Sequence, residues 1–102
     1  MSAAALSAQA RLLAVIEALA GHEVDGLTLT DVAAALGGIT PSTVLRDMAE
    51  LEAAGWARRV PGTKRWALAA RPIQLLINFQ SGLARAKQRI AEVESNYTRL
   101  PA

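Results

Sequence analysis

The sequence predicts a mainly α-helical protein, a winged helix-turn-helix (α-β-α-α-β-β) followed by one long C-terminal helix. The chain has 102 residues, enough for one modest core, and the combination of 52% hydrophobic with only 4% aromatic residues favours packed helices over a large β-sandwich. Apolar residues recur at helical spacing in four segments. A Pro61-Gly62 turn signal before the last of these segments separates two short apolar stretches, which predicts a β-hairpin.

The first predicted helix covers about residues 4–20. Its apolar side chains are expected on one core-facing side, and this set comprises Leu12, Leu13, Ile16, Leu19 and Ala20. Gly21 is expected to end the helix, and His22 belongs to the loop that follows. The alternation Leu27-Thr28-Leu29 predicts a short strand before the next helix.

The next two helices are predicted to meet across a tight turn. Thr30 is expected to cap the first of them, with Asp31 at the positive end of its dipole. The two glycines Gly37 and Gly38 end this helix. Its predicted core-facing residues are Val32, Ala35 and Leu36.

The second helix of the pair opens with Thr40 as the capping residue and Pro41 at the first helical position. Val44, Met48 and Leu51 then repeat at intervals of four and three residues, which predicts the side that faces the core. This helix is expected to end near residue 55.

A β-hairpin is predicted directly after this helix. Residues 56–60 and 65–68 have the composition of two short strands around the Pro61-Gly62 turn. We interpret Trp56 and Trp66 as core anchors rather than as residues that stack on bases. The hairpin is the expected wing of the fold.

A single long helix is predicted over about residues 72–99, interrupted in its helical pattern only by Gly82. Eight apolar residues occupy the a and d positions of a heptad repeat along it, and we call them the seam: Leu76, Phe79, Leu83, Ala86, Ile90, Val93, Tyr97 and Leu100. Arg89 and Glu94 occupy flanking g and e positions, where a parallel partner helix would bring opposite charges together.

The seam predicts a coiled-coil homodimer. The alternative is a helix that packs back on its own domain. We therefore expect a winged helix-turn-helix domain in residues 1–71 and a dimerisation helix in residues 72–102.

Charge is distributed unevenly along the chain. Residues 53–91 contain eight basic and no acidic residues, a net charge of +8, whereas the remainder has three basic and nine acidic residues, a net charge of −6. Such polarity favours a directed electrostatic surface with a polyanion as its partner. The alternative is a solvated surface that carries Lys and Arg for solubility.

Several function classes find no support in the residues. The chain has no cysteine and a single histidine, His22, so neither a disulfide nor a metal site is expected, and no cofactor motif is present. No nucleophile elbow or paired carboxylates suggest an enzyme. No apolar run is long enough to span a bilayer or to form a signal peptide, so a cytoplasmic protein without membrane association is expected.

From Ala8 to about Leu75 the sequence resembles the N-terminal DNA-binding domain of IclR-type transcription regulators. The resemblance rests on five blocks in a fixed order: Arg11-Leu-Leu-Ala-Val-Ile-Glu-Ala-Leu-Ala20, Leu27-Thr-Leu-Thr-Asp-Val-Ala-Ala-Ala-Leu-Gly37, Ser42-Thr-Val44 with Arg46, Leu51-Glu-Ala-Ala-Gly-Trp56, and Arg65-Trp-Ala-Leu68. It implies a double-stranded DNA partner and places the helix that begins at Pro41 in the major groove.

The predicted contacts of this recognition helix come from Thr40, Ser42, Thr43, Arg46 and Asp47. Hydroxyls and backbone N–H groups at a helix N-terminus bind phosphate, and an arginine can pair with guanine through two hydrogen bonds. Arg46 is thus the predicted base reader. Asp47 and Glu50 either accept hydrogen bonds from cytosine or brace Arg46, and we favour bracing.

The predicted wing contacts come from Arg58, Arg59, Thr63, Lys64 and Arg65. These side chains are expected to bind phosphates or to reach into a minor groove. The four basic side chains among them are half of the eight basic residues in the +8 stretch.

The sequence departs from the family pattern in three places. Gly38 adds one residue to the turn, and Leu45 stands where a polar residue is common. The helix with the seam follows where the family has a ligand-sensing domain, so no small-molecule effector can be inferred. Dimerisation is then assigned to that helix.

The combined expectation is a transcriptional regulator, of a kind found in phage or bacteria, that binds a two-fold-related DNA site as a dimer. The alternative is a winged-helix module that binds a protein, or coats DNA with little sequence preference. Exposure of Leu45 would favour the alternative.

Overall fold

A computed structural model describes residues 5–99 of the chain. Within them lie four helices and two strands, in the order α1 (Ala8–Leu19), α2 (Leu29–Ala35), α3 (Pro41–Ala53), β1 (Ala57–Arg59), β2 (Trp66–Leu68) and α4 (Ala70–Thr98). This is a winged helix-turn-helix followed by a long helix, which confirms the predicted fold class. The described residues form two compact units, one ending at Pro72 and one beginning at Ile73.

Helix α1 begins after Ser7, whose hydroxyl accepts a hydrogen bond from the backbone N–H of Ala10 at 3.1 Å. Val15 and Leu19 are fully buried, of which only Leu19 was predicted as a core residue. The assignment of Leu13 to the core was wrong, because Leu13 lies about 200° around the helix from Val15 and is 63% exposed. Ala20, also assigned to the core, is exposed. The predicted start at residue 4 lies outside the described residues.

The predicted strand at residues 27–29 is reduced to one bridge. Leu27 and Trp66 exchange two backbone hydrogen bonds of 2.8 Å, and helix α2 starts at Leu29. Thr28, rather than the predicted Thr30, is the cap. Its hydroxyl accepts from the backbone N–H of Asp31, whose carboxylate accepts from the N–H of Thr28, each at 3.1 Å. This reciprocal pair satisfies two N–H groups that the helix itself leaves without partners.

Hydrogen bonding in this cap lowers the pKa of Asp31, first through the backbone N–H of Thr28 and then through its hydroxyl. Val32 and Ala33 of α2 are buried, and so is Leu36, which directly follows the helix. The prediction of Ala35 as a core residue was wrong, because Val32, Leu36 and Ala33 lie within about 100° of the helix surface and Ala35 lies outside this arc, where it is exposed.

Two glycines form the turn between α2 and α3. The N–H of Gly37 donates to the carbonyl of Ala34 at 3.1 Å, and the N–H of Gly38 donates to that of Ala33 at 3.0 Å. This is the hydrogen-bond pattern of a Schellman motif, which requires a left-handed residue after the helix. Gly37 has φ of 85° and Gly38 has φ of 93°. Gly38, the residue added to the turn, is thus accommodated as a second left-handed glycine.

Helix α3 confirms its predicted start and core face. Thr40 is the cap, Pro41 is the first helical residue, and Val44, Met48 and Leu51 are buried. The helix ends in a second Schellman motif, in which the N–H of Trp56 donates to the carbonyl of Leu51 at 2.8 Å.

Strands β1 and β2 form an antiparallel hairpin, shorter than predicted, with Arg59 paired to Trp66. Trp66 is 2% exposed and belongs to the core, and Trp56 packs against it, so both are core anchors as interpreted. The core lies between α1, α2, α3 and the hairpin. Its buried members are Val15, Leu19, Val32, Ala33, Leu36, Val44, Met48, Leu51, Ala57 and Trp66.

Helix α4 starts at Ala70, two residues before the predicted position. Pro72 is accommodated in the first turn because the first N–H groups of a helix have no intrahelical acceptor. No residue of α4 is buried. Leu100, the last predicted member of the seam, lies outside the described residues. Among the described helices none is both long and apolar enough to cross a membrane.

We expect Gly26→Ala to be strongly destabilising. A Cβ at Gly26 would lie 2.6 Å from the carbonyl oxygen of Trp66 and 2.9 Å from a methyl carbon of Val60. Gly62→Ala is the matched control, because φ is 74° at Gly26 and 76° at Gly62, where a Cβ meets nothing within 4 Å.

Left-handed strain alone should reduce the free energy of unfolding by about 1 kcal/mol at Gly62. The clash should bring the loss at Gly26 to about 3 kcal/mol. Urea denaturation of both variants measures the difference. Equal losses would show that the loop moves away from Trp66 without cost.

Candidate nucleic-acid interface

The outer face of α3 presents Arg46. Arg46 lies two residues after Val44 and two before Met48, so it is about 200° around the helix from each of these buried side chains. Its side chain is exposed, as is that of Glu50 one turn later. The packing that buries Val44 and Met48 therefore directs Arg46 away from the core.

Three hydroxyls cluster at the N-terminus of α3. Thr40 Oγ1 lies 2.9 Å from Thr43 Oγ1 and 3.2 Å from Ser42 Oγ, and it accepts a hydrogen bond from the backbone N–H of Thr43 at 3.3 Å. Thr40 and Ser42 are exposed, and Thr43 is half-buried. The cluster lies at the positive end of the helix dipole, where hydroxyl and N–H donors suit an anion such as phosphate.

Asp47 forms an ion pair with Arg11 of α1. Arg11 Nε donates to one carboxylate oxygen at 2.6 Å and Arg11 Nη2 donates to the other at 2.9 Å. The side chain of Asp47 is 7% exposed and that of Arg11 is 21% exposed. The hydrogen bond to Asp47 is the main reason that the pKa of Arg11 is raised, and Coulombic attraction adds to it.

This pair corrects the prediction for Asp47. Both carboxylate oxygens are engaged by Arg11, and the residue is buried, so Asp47 neither braces Arg46 nor presents an acceptor to a base in this structure. Asp47 instead joins α3 to α1. The role of Arg11 was not predicted from the sequence, because its partner is 36 residues away and no local spacing indicates the contact.

Two arginines of the predicted wing bind the loop that precedes α2. A terminal nitrogen of Arg58 donates to the backbone carbonyl of Glu23 at 3.0 Å. A terminal nitrogen of Arg65 donates to the carbonyl of Gly26 at 3.3 Å. A guanidinium has five N–H donors, so each arginine keeps donors for a phosphate while it joins the hairpin to the loop.

The other wing residues differ in their roles. The guanidinium carbon of Arg59 lies 4.6 Å from the ring centroid of Trp66, a cation–π contact. Thr63 shapes the turn, since its hydroxyl donates to the carbonyl of Val60 at 2.8 Å and accepts from the N–H of Arg65 at 3.0 Å. Lys64, at the tip, is exposed and has no ion-pair partner among residues 5–99.

Leu45 is 41% exposed on α3, so it offers an apolar surface next to Arg46. A shallow groove also runs between α1 and α3. Its lining residues combine the ion pair with parts of the predicted recognition surface: Ala8, Gln9, Arg11, Leu12, Thr43, Arg46, Asp47 and Glu50.

Metal-binding side chains do not cluster in the part of the chain that the structure describes. No group of three His, Cys, Asp or Glu residues there is arranged to hold a metal ion. The exposed polar groups described above include guanidinium, ammonium and hydroxyl donors. These groups suit a ligand rich in acceptor oxygens.

The seam is accessible along α4. Six of its seven described members are exposed, and the seventh, Ala86, is half-buried. The exposed fractions range from 46% at Leu83 to 83% at Tyr97.

Comparison with known proteins supports the interpretation of the first unit. Residues 8–61, more than half of the chain, match the IclR helix-turn-helix domain family. The chain is also similar to the crystal structure of a protein from Silicibacter sp. TM1040 assigned as an IclR transcriptional regulator, with a TM-score of 0.66 and 21% identity. At this identity the likeness shows a common fold.

The structural similarity covers 82% of this chain but 33% of the Silicibacter protein. The chain thus spans about a third of the length of that relative. No curated protein sequence matches the chain.

We expect the two partners of the α1–α3 ion pair to differ in the cost of their removal. Arg11→Met leaves a charged carboxylate buried without a partner and should reduce the free energy of unfolding by about 2 to 3 kcal/mol. Asp47→Asn keeps an acceptor for Arg11, which can also reach water, and should cost about 1 kcal/mol.

The double variant Arg11→Met/Asp47→Leu removes both charges and should be more stable than Arg11→Met alone. Chemical denaturation of all three variants measures these differences. A larger loss for Asp47→Asn than for Arg11→Met would contradict the assignment of Asp47 as the buried member.

Proposed function

The chain belongs to the IclR helix-turn-helix family, and from this premise we propose that it is a DNA-binding transcriptional regulator that acts as a dimer on a two-fold-related site. The observation that carries the proposal is the outer face of α3. There Arg46 projects opposite the buried side chains, one turn from a cluster of three hydroxyls. A helix-turn-helix uses this part of its second helix to contact DNA.

We assign Arg46 to the bases and the hydroxyl cluster to the backbone. An arginine on the exposed face of a major-groove helix can donate two hydrogen bonds to O6 and N7 of guanine. Thr40, Ser42 and Thr43 lie at the helix N-terminus, where their hydroxyls can donate to a phosphate. Phosphate contacts would orient the helix, while Arg46 would supply sequence preference.

We assign the wing to the DNA backbone. Lys64 at the tip has its ammonium available for a phosphate or for a narrow minor groove. Arg58 and Arg65 can contact phosphate while they remain bonded to the loop of residues 22–26. Arg59 would contribute charge from its position over Trp66.

The net charge of +8 in residues 53–91 supports a polyanionic ligand. Binding through phosphates releases counterions, so the affinity should fall steeply with salt. The acidic residues elsewhere in the chain would disfavour other orientations of the protein on DNA.

The proposed dimer depends on residues 72–102 as a separate dimerisation element, with residues 1–71 as the DNA-binding domain. The exposed seam of α4 is the surface that a second copy would bury. A dimer binds two half-sites at once, so the second contact occurs at a high effective concentration.

Leu45 supports one alternative, a winged-helix module that binds a protein or coats DNA without sequence preference. Its exposed apolar side chain beside Arg46 would suit an apolar partner surface. Selection and sequencing of bound genomic fragments in the presence of competitor DNA separates the two functions. Enrichment of one motif supports the regulator, and a flat profile supports the module.

Arg46→Ala is expected to weaken binding to the selected site by about 1 to 3 kcal/mol and to leave nonspecific binding nearly unchanged. The reason is that a bidentate contact to guanine is lost while the phosphate contacts remain. Titration of labelled duplexes, by fluorescence anisotropy, measures both affinities.

Arg99→Ala is the matched control, because Arg99 is an exposed arginine directly after α4, outside the proposed DNA surface. It should bind both duplexes like the parent protein. An equal loss for Arg46→Ala on every sequence would assign Arg46 to phosphate instead of to a base.

Lys64→Ala is expected to weaken binding to all DNA sequences by a similar factor. It should also reduce the slope of log affinity against log salt concentration by about 1 for each protomer. Lys64→Arg keeps the charge and should retain the slope. If the parent, Lys64→Ala and Lys64→Arg all gave the same slope, Lys64 would not contact a phosphate, and the proposed wing-tip contact would be wrong.

A further inference from the structure

Helix α4 has a groove whose edges carry opposite charges. Ala86, Ile90 and Val93 of the seam line its floor, and Arg89 and Glu94 line it as well. At 100° per residue, Arg89 and Glu94 fall on opposite sides of these three apolar residues. A helix that covers the groove would therefore contact an apolar floor between a positive and a negative edge.

The groove has the composition of a coiled-coil hole. In a parallel pair, a side chain at an a position packs among four residues of the facing helix, namely the preceding d and g, the same a and the next d. For Ile90 of a second copy, these four residues are Ala86, Arg89, Ile90 and Val93. All four line the groove.

A parallel pair also satisfies the edge charges. Residues at g contact residues at the following e of the partner, which places Arg89 next to Glu94 of a second copy. Two-fold symmetry produces this contact twice. Gly82 and Lys87, the g and e residues one heptad earlier, bring no like charges together.

An antiparallel pair does not satisfy these charges when the seams overlap fully. In that register Leu83 pairs with Val93, g residues face g residues, and e residues face e residues. Arg89 then faces Arg89 of the second copy, and Lys87 faces Lys87. Like charges at these positions destabilise the pair.

In the antiparallel pair, a shift of one heptad towards the N-terminal ends of α4 would place Arg89 opposite Gly82 and leave it without an anionic partner. A shift of one heptad towards the C-terminal ends would instead bring Lys87 opposite Glu94. Phe79 would then face a position beyond Thr98, where α4 ends. Only the seam residues from Ala86 to Tyr97 would keep partners within α4. The shift would therefore exchange apolar contacts for an exposed ion pair, which stabilises little.

From the groove and its charges we infer that two copies of α4 pair in parallel, with Arg89 of each chain next to Glu94 of the other. This inference rests on the proposed dimeric function and adds the orientation of the pair. A parallel pair keeps the N-terminal ends of both helices together. Each of these ends continues directly from a chain segment that contains one recognition helix.

Disulfide trapping tests the orientation, because the 102 residues of the sequence include no cysteine. Leu83→Cys and Val93→Cys proteins are each oxidised alone and then as an equimolar mixture, at a concentration at which light scattering has measured the mass of the parent. A parallel pair places each residue next to its own copy, so both single variants should cross-link. Ala91→Cys, at an outward b position, is the control for random collision.

The pattern of products distinguishes the outcomes. Cross-links in the single-variant samples at several times the Ala91→Cys level support the parallel pair. A product that joins residue 83 to residue 93 only in the mixture, identified by its mass, would show an antiparallel pair and leave the dimer intact. No cross-link, together with a monomer by light scattering, would overturn the dimer but not DNA binding, which the Arg46 and Lys64 variants test separately.

Charge reversal gives a second measurement without altering the seam. Arg89→Glu should raise the dissociation constant of the dimer about fivefold, since two attractive contacts become repulsive. Arg89→Glu/Glu94→Arg should restore it in a parallel pair. In the fully overlapping antiparallel pair, residue 89 faces its own copy whichever charge it carries, so failure of the double variant to recover would contradict the inference.

Discussion

The ion pair between Arg11 and Asp47 determines how the surface of α3 is used. Asp47 stands next to Arg46 in sequence, yet the two side chains have opposite roles because successive helical residues point about 100° apart. Burial of Asp47 against α1 requires a cation at that contact, and Arg11 supplies both donors. This polar contact requires the same rotation of α3 about its axis as the burial of Val44 and Met48. That rotation leaves Arg46 exposed.

The hairpin shows how basic side chains can have two roles. Arg58 and Arg65 each donate to a carbonyl in the loop before α2, a loop whose own backbone passes close to Trp66 at Gly26. A neutral donor could make either hydrogen bond. An arginine makes it with one N–H group and keeps its positive charge at the surface. The same residues can therefore hold the wing in place and attract phosphate, and substitution of either one would change both properties.

Much of the fold could be predicted from the sequence because its signals are local. Thr40 and Pro41 specify a helix start, Gly55 marks a helix end, and the spacing of Val44, Met48 and Leu51 identifies a buried face. Two predictions selected the wrong one of two nearby residues: Thr30 was predicted as the cap of α2, and Leu13 was predicted as a core residue of α1. Thr28 displaced Thr30 as the cap because Thr28 has Asp31 three residues later, which completes a reciprocal pair of hydrogen bonds. Pattern alone did not distinguish these neighbours.

The candidate site was less predictable because its decisive contacts are not local. Asp47 was assigned to the DNA surface from its neighbours, whereas its actual partner lies on another helix. The wing residues were recognised by charge, but only the structure distinguishes Arg58 and Arg65, which bind the loop, from Lys64 at the tip.

The charges of α4 connect the proposed dimer to the proposed DNA surface. Residues 53–91 carry a charge of +8, and Arg89 is part of that charge, whereas Glu94 lies just outside the stretch. If Arg89 is next to Glu94 of the other chain, that positive charge is used within the dimer and contributes less to attraction of DNA. Arg58, Arg59, Lys64 and Arg65 of the hairpin would then be the main source of the attraction, near the recognition helix. The pairing of α4 would thus leave the hairpin with four of the seven other basic residues of this stretch, the larger part of its remaining positive charge.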